Sequence, residues 1–283
     1  NNFPEFTGRI CPAPCESSCV LGINQPPIAI EHIEKSIIEK AFELNFVKPQ
    51  VPKQRTNKKI AVIGSGPSGL ATAHQLNKAG HSVTVFERAD NIGGLLRYGI
   101  PDFKLEKKVV ERRVELMEKE GIEFKTNANV GSNVSTEEVL KNFDAIVLTG
   151  GSTIPRDLPI PGRKLKGIYP AMEFLSQQNK RVSNIETTVD HQGNPYQNGD
   201  LFATDKHVVV IGGGDTGSDC VGTSNRHGAA SITQMELLSK PPLERAESTP
   251  WPMYPLVLRT SSSHDEGCQR EWSILTKEFI GDE

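Results

Sequence analysis

Two short apolar runs in this chain each break into a glycine turn of identical spacing. Ile60–Ile63 leads into Gly64-Ser65-Gly66-Pro67-Ser68-Gly69, and the apolar run ending at Ile211 leads into Gly212-Gly213-Gly214-Asp215-Thr216-Gly217. Both fit G-x-G-x-x-G, and both open onto a helical pattern, the context in which that spacing carries meaning. The first glycine permits a sharp turn, the second lets backbone amides approach a pyrophosphate, and the third lets helix and strand pack closely. The N-terminus of the following helix offers free N–H groups and partial positive charge to the anion. In the first unit, strand Ile60–Ile63, helix Pro67–Lys78 and strand Ser82–Glu87 follow in order. The expected fold class is therefore α/β, with two Rossmann-like dinucleotide-binding units. Each second strand closes on an acid suited to ribose hydroxyls, Glu87 in the first unit and Glu236 in the second.

Two such turns imply two dinucleotides, and the economical pair is FAD with NADH or NADPH, the nicotinamide supplying hydride and the flavin accepting it. By analogy with other two-dinucleotide flavoproteins, FAD takes the first turn and the nicotinamide nucleotide the second. A carboxylate at Glu236 welcomes a 2′-hydroxyl and repels a 2′-phosphate, which tilts the choice toward NADH, although Lys240 and Arg245 follow closely enough to offset it. The stretch "NIGGLLRYGIP" (residues 91–101) carries no cysteine pair, so hydride reaching this flavin cannot leave through a neighbouring disulfide. Hydride transfer requires positioning rather than acid–base chemistry, and no catalytic side chain is expected. Arg97 and Lys104 lie where a cation would stabilise a reduced flavin, and equally where solvent-facing charges are ordinary.

Three of the five cysteines, Cys11, Cys15 and Cys19, crowd a turn-rich segment with Pro12 and Pro14 between them. Those prolines argue against a helix and for a loop that wraps around something. By spacing alone an iron–sulfur cluster, zinc and plain structural thiols fit equally. The flavin favours the cluster, because a flavin without an exit disulfide needs a one-electron acceptor. Cys220 and Cys268 read as ordinary thiols. An odd cysteine count points to a reducing compartment, and the cytoplasm is the expected location, with an organelle not excluded. A net charge of −3 points to neither nucleic acid nor an anionic membrane, and no apolar run is long enough to span a bilayer. An amphipathic helix is expected over Ile28–Phe46, a linker over 48–59, a helix over Leu105–Glu120, strands within 122–130 and 143–151, a surface loop over 181–206, and, in the Pro- and Ser-rich tail from Lys240, no regular helix over "STPWPMYP" (248–255).

The segments "NNFPEFTGRICPAPCESSCVLGI", "IGSGPSGLATAHQLNKAGHSVTVFERADNIGGLLRYGIP" and "VVVIGGGDTGSDC" together resemble the glutamate synthase small (beta) subunit, or the equivalent reductase part of eukaryotic NADH-dependent glutamate synthase. The tail "PPLERAESTPWPMYPL" resembles the same module. The resemblance implies three regions: 1–50, a helical iron–sulfur segment; 51–154, an FAD-binding domain; and 155–283, an NAD(P)-binding domain. It implies 4Fe-4S clusters, with Cys11, Cys15, Cys19 and, through "PPIAIEHIEKS", Glu34 as ligands. It places Gly94 and Leu95 near the flavin, and implies a large FMN-containing subunit or domain as partner. The family has an earlier cysteine-rich stretch and a later strand that this chain lacks. A fragment is therefore expected, one that by itself binds FAD weakly and is inactive. The reductase part of dihydropyrimidine dehydrogenase shares the architecture and is the nearest rival; a non-catalytic nucleotide-binding docking module is the other.

Overall fold

The computed structural model describes residues 1–184 and 199–281. In chain order the elements are α1 (Pro4–Ile10), α2 (Pro14–Ser17), a 3₁₀ turn (Val20–Ile23), α3 (Ile30–Glu43), β1 (Lys59–Ile63), α4 (Pro67–Lys78), β2 (Ser82–Phe86), α5 (Leu95–Tyr98) and α6 (Lys107–Lys119). They continue with β3 (Glu123–Lys125), α7 (Thr136–Asn142), β4 (Ala145–Leu148), α8 (Ala171–Val182), β5 (His207–Ile211), α9 (Asp215–Arg226), β6 (Ser231–Glu236), α10 (Ser262–Asp265) and β7 (Gln269–Trp272). Most of the loop expected over 181–206 lies outside the described residues, and its start is the end of α8 instead. The described chain divides into two compact units, residues 1–12, 29–153 and 179–184 in one and residues 13–28, 154–178 and 199–281 in the other. The segment 1–50, expected as one region, is thus shared between them.

In the first unit a parallel sheet runs in the order β3-β2-β1-β4, with Ile60 opposite Val83 on one side and Ala145 on the other. Both faces of its centre are covered, which is why β1 and β2 read as nearly unbroken apolar runs. Val62, Val83 and Val85 meet Leu70 and Ala73 of α4 and Val110, Val114 and Met117 of α6 in one core. Pro67 starts α4 at the position where a missing N–H costs nothing. Gly80 and Gly121, both at φ +95°, turn the chain after α4 and α6.

Residues 1–26 are more helical than expected. Pro4 and Pro14 each sit at the first turn of a helix, where proline fixes φ favourably, so they start α1 and α2 rather than forbid them. Phe3 and Phe6 insert into the core of the first unit. Arg113 on α6 donates through Nε to Glu5 Oε1 at 2.5 Å, and Glu5 is fully buried. Arg112 grips Glu39 of α3 with both terminal nitrogens, at 3.0 and 2.9 Å, and Arg9 of α1 adds a contact at 2.7 Å.

His74 of α4 lies 3.7 Å from Glu120. Burial, reinforced by Lys78 and Arg113, pushes its pKa down to about 4, so at neutral pH the imidazole is uncharged and the contact is not an ion pair. The unfolded chain takes up this proton near pH 6.5 and the folded chain does not. The stability involved is therefore complete above about pH 6.5 and falls as the pH drops toward 4, by at most about 3 kcal/mol. Denaturant midpoints measured from pH 7 to 4 are expected to drop more steeply for wild type than for His74→Gln; parallel curves would contradict this.

In the second unit β5, β6 and β7 form a parallel sheet, with Val210 opposite Gln234 and Gln234 opposite Arg270. Val210, Cys220, Val221 and Ile232 pack with Leu175 of α8. Cys220 is an inert core thiol, pushed up to about 12 by burial.

Candidate functional site

The first glycine turn sits between the ends of β1 and β2, with Gly64 at φ +108° and its N–H donating to Phe86 O at 2.8 Å. A Cβ on Gly69 would stand 2.0 Å from Gly64 O, so helix and turn touch backbone to backbone. A Cβ on Gly66 would meet nothing within 4 Å. That open space lies before the N-terminus of α4, where Pro67 and Ser68 are exposed, a geometry that suits an anion. Gly94, at φ +54°, brings the 91–98 segment onto the turn: its Cβ would come 2.8 Å from Gly66 Cα.

Glu87 directly follows β2, and its carboxylate is engaged by the glycine turn itself. Oε2 accepts from Ser65 N at 2.9 Å and Ser65 Oγ at 2.6 Å, and Oε1 accepts from Ala89 N at 2.9 Å. Ser65 Oγ also accepts from Gly93 N at 3.0 Å, which ties the Gly93-Gly94 loop to the turn. A carboxylate has about four lone-pair positions, so room for a ribose hydroxyl is left.

Three buried side chains that sequence reasoning missed hold the neighbouring loop. The Tyr98 hydroxyl donates to Asp90 and accepts from Asn91 N at 3.0 Å, while Lys180 Nζ reaches Asp90 at 3.1 Å. Burial and the Asp90 carboxylate push the Tyr98 hydroxyl far up, so it stays protonated as a donor. Lys107 Nζ donates to the carbonyls of Leu96, Ile100 and Leu105 at 3.1, 2.5 and 3.1 Å. Arg97 is itself buried, with Nε on Ile92 O at 2.8 Å and Nη1 on Glu111 at 3.2 Å, whereas Leu95 is exposed at the start of α5. Lys180 is 90 residues from Asp90, a partner that no local spacing shows.

The second turn repeats the arrangement. Gly212 has φ +121° and donates to Met235 O at 2.8 Å, and a Cβ on Gly217 would lie 2.3 Å from Gly212 O. Gly214 again faces open space, and Asp215 and Thr216 are exposed at the start of α9. Glu236 Oε2 accepts from Gly213 N at 2.7 Å and Oε1 from Leu238 N at 3.1 Å, the counterparts of the Glu87 contacts. Of the two cations that could offset it, Arg245 is committed to the carbonyls of Met253 at 2.7 Å, Thr249 at 3.0 Å and Ser17 at 3.4 Å. Lys240 lies over the Trp272 ring, 4.8 Å from its centroid.

The cysteine segment is described as three short pieces. Cys11 follows α1, Cys15 lies in α2, and Cys19 precedes the 3₁₀ turn. None of the three is in a disulfide. Backbone N–H bonds from Ile28 and Leu21 hold the Cys19 thiol below its ordinary pKa, which suits a thiolate ligand. Among the described residues no three His, Cys, Asp or Glu side chains stand together to hold a metal ion. Glu34 accepts from Asn1 Nδ2 at 2.7 Å. Among the described residues no helix is long and apolar enough to cross a membrane.

A family model described as pyridine nucleotide-disulphide oxidoreductase matches residues 31–142 and 58–249, and one described as dihydropyrimidine dehydrogenase domain II, 4Fe-4S cluster, matches residues 1–46. The chain is 54% identical over 281 residues to the glutamate synthase [NADPH] small chain of Mycobacterium tuberculosis, covering 99% of this chain and 57% of that one. It is 55% identical over 291 residues to the glutamate synthase [NADH] of Schizosaccharomyces pombe, covering 100% of this chain and 13% of the yeast protein. The chain therefore spans about half the length of the small chains it matches, or less of longer relatives. Among solved structures, Mycobacterium tuberculosis FprA in complex with NADPH superposes with a TM-score of 0.51 at 23% identity, over 64% of this chain and 44% of that one, a likeness of fold. With more than half its residues matched by that first family model and its whole length similar to glutamate synthase small chains, the chain belongs to the pyridine nucleotide-disulphide oxidoreductase family.

Proposed function

We propose that this chain is the electron-entry module of a glutamate synthase, passing electrons from a nicotinamide nucleotide through FAD to iron–sulfur clusters for reductive synthesis of glutamate from 2-oxoglutarate and glutamine. One observation carries the reading: two acid-clamped glycine turns, each with open space before a helix N-terminus, in a chain similar along its whole length to glutamate synthase small chains. FAD, when bound, supplies an acceptor for hydride that can also release electrons singly.

The residues of this chain bind and orient. Gly64, Ser65, Gly66, Pro67, Ser68 and Gly69 with the start of α4 hold the FAD pyrophosphate, and Glu87 keeps the turn in shape while facing the ribose. Gly94, Leu95 and Arg97 belong to the adjoining loop, held by Tyr98 and Lys107, and place the isoalloxazine side of the site. Gly212, Gly213, Gly214, Asp215, Thr216, Gly217 and Glu236 receive the nicotinamide nucleotide. Cys11, Cys15 and Cys19 are the proposed thiolate ligands of a 4Fe-4S cluster, supported by the match over residues 1–46. The proposed partner is a large FMN-containing subunit or domain.

For the nucleotide we propose NADH over NADPH. The Glu236 carboxylate is fixed by two amides, while Arg245 is spent on backbone carbonyls. With the full-length protein, kcat/KM is expected to favour NADH by at least about tenfold, and Glu236→Gln should shrink that ratio. A wild type that prefers NADPH would overturn the choice.

The test of the function is spectral and chemical. Anaerobic NADH should bleach the flavin band of the full-length protein, and adding 2-oxoglutarate and glutamine with the large chain present should yield glutamate. Nucleotide binding without bleaching would indicate a docking module instead. Bleaching followed by NADH-dependent reduction of uracil or thymine, with no glutamate formed, would indicate the rival reductase, which the match over residues 1–46 also suits.

A further inference from the structure

The two turns differ in what holds the carbonyl of their first glycine. That carbonyl faces the packed glycine of the helix, Gly69 or Gly217, so its direction sets how closely the helix N-terminus approaches the turn. In the first unit Thr149 Oγ1 reaches Gly64 O at 3.0 Å and Ile63 O at 2.9 Å. In the second unit the donor is Gln234 Nε2, 2.9 Å from Gly212 O, on a side chain almost wholly buried in β6.

Gln234 is itself held. Its Oε1 lies 2.8 Å from His264 Nε2, and His264 Nδ1 lies 3.1 Å from Ser261 N. A backbone N–H can only donate, so Nδ1 is the lone-pair nitrogen and Nε2 carries the proton. That assignment, drawn from the network, also fixes the amide: Oε1 accepts from histidine and Nε2 donates to glycine. A single directed chain of donors thus runs from Ser261 N–H through His264 and Gln234 to the Gly212 carbonyl. The same serine reaches the helix, with Ser261 Oγ 2.5 Å from Ser218 Oγ in the first turn of α9. In α10 the histidine takes the place a Glu or Gln occupies in a capping box.

We propose that His264 and Gln234 are positioning residues for the nicotinamide-nucleotide turn, holding Gly212 and the N-terminus of α9 in the conformation that receives the pyrophosphate. The proposal rests on the nucleotide reading of the second turn. Neither residue touches the nucleotide or the flavin in this role; both act through the Gly212 carbonyl.

The experiment uses the full-length protein and NAD⁺ as probe, by titration calorimetry, with flavin content and unfolding midpoint measured alongside. His264→Leu and Gln234→Leu are each expected to weaken NAD⁺ binding roughly tenfold, the scale of one oriented hydrogen bond, and to raise KM for NADH with kcat little changed. His264→Gln, whose amide can donate to Gln234 Oε1, should recover most of the loss. Thr149→Val should do the reverse, lowering flavin retention while leaving NAD⁺ affinity intact. Leucine variants that bind NAD⁺ like wild type overturn the positioning role. So does a loss that His264→Gln fails to recover, or one that falls equally on flavin and NAD⁺, since these mark a general structural defect. A wild type that binds no nicotinamide dinucleotide overturns the reading of the turn itself.

Discussion

Gly69→Ala is expected to strip the full-length protein of flavin and to cost about 3 kcal/mol of stability or more. The added methyl carbon would stand 2.0 Å from Gly64 O and 2.9 Å from Thr149 Oγ1. The first of these atoms is backbone, and it accepts a hydrogen bond from the second. Nothing there can swing aside, so α4 must lift off the turn, and overpacking of this kind is worth a few kcal/mol. Lifting the helix also withdraws the amides that face the anion. Gly66→Ala is the informative companion. Its φ of −64° is one that alanine accepts, and its methyl would enter open space. It should leave the unfolding midpoint near wild type while lowering flavin occupancy, because the methyl fills the cradle. Flavin-to-protein absorbance ratios and thermal melts on both variants check this. A Gly69→Ala protein with full flavin would remove the case for a pyrophosphate at this turn.

Arg113→Ala should cost about 3–5 kcal/mol, the range seen when one partner of a buried ion pair is removed. Glu5 has no exposed surface, and its Oε2 already has no hydrogen-bond partner among the described residues. Without Arg113 its charge would be left in a cavity lined by Phe3 and the core of α6. Replacing both members by leucine should recover much of the loss, since an apolar pair of similar size often matches a buried ion pair. Denaturant unfolding of the two single variants and the double variant gives the coupling directly. A mild effect in Arg113→Ala would mean that water reaches Glu5 and that α1 is less firmly docked than its burial implies.

Much of the candidate site was legible because its requirements are local. A glycine turn between apolar strand and helix demands particular residues at particular positions, whatever the rest of the chain does. The strands and the α4 and α6 helices follow from periodicity in the same way. What was misread had weak local signals. The first 26 residues look like punctuated coil because prolines stand out, yet proline at a helix start is favourable and Phe3 and Phe6 supply the packing that makes α1 worthwhile. Helix α8 carries no expectation before residue 181, although Ala171, Phe174 and Leu175 have helical spacing and pack on the second core. Strand β7, "QREW", lacks an apolar run and is a strand because β6 offers it a partner.

By itself the sequence determined the two turns, their acids and their parallel surroundings, since glycine backbone freedom and strand–helix periodicity are properties of a few consecutive residues. Only the tertiary structure decided what holds those turns. Thr149 is 85 residues from the carbonyl it grips and His264 is 30 from Gln234, and the Arg113 that docks α1 is likewise 108 from Glu5. A hydrogen bond depends on distance in space and on shelter from water, and neither is written in the order of residues along a chain.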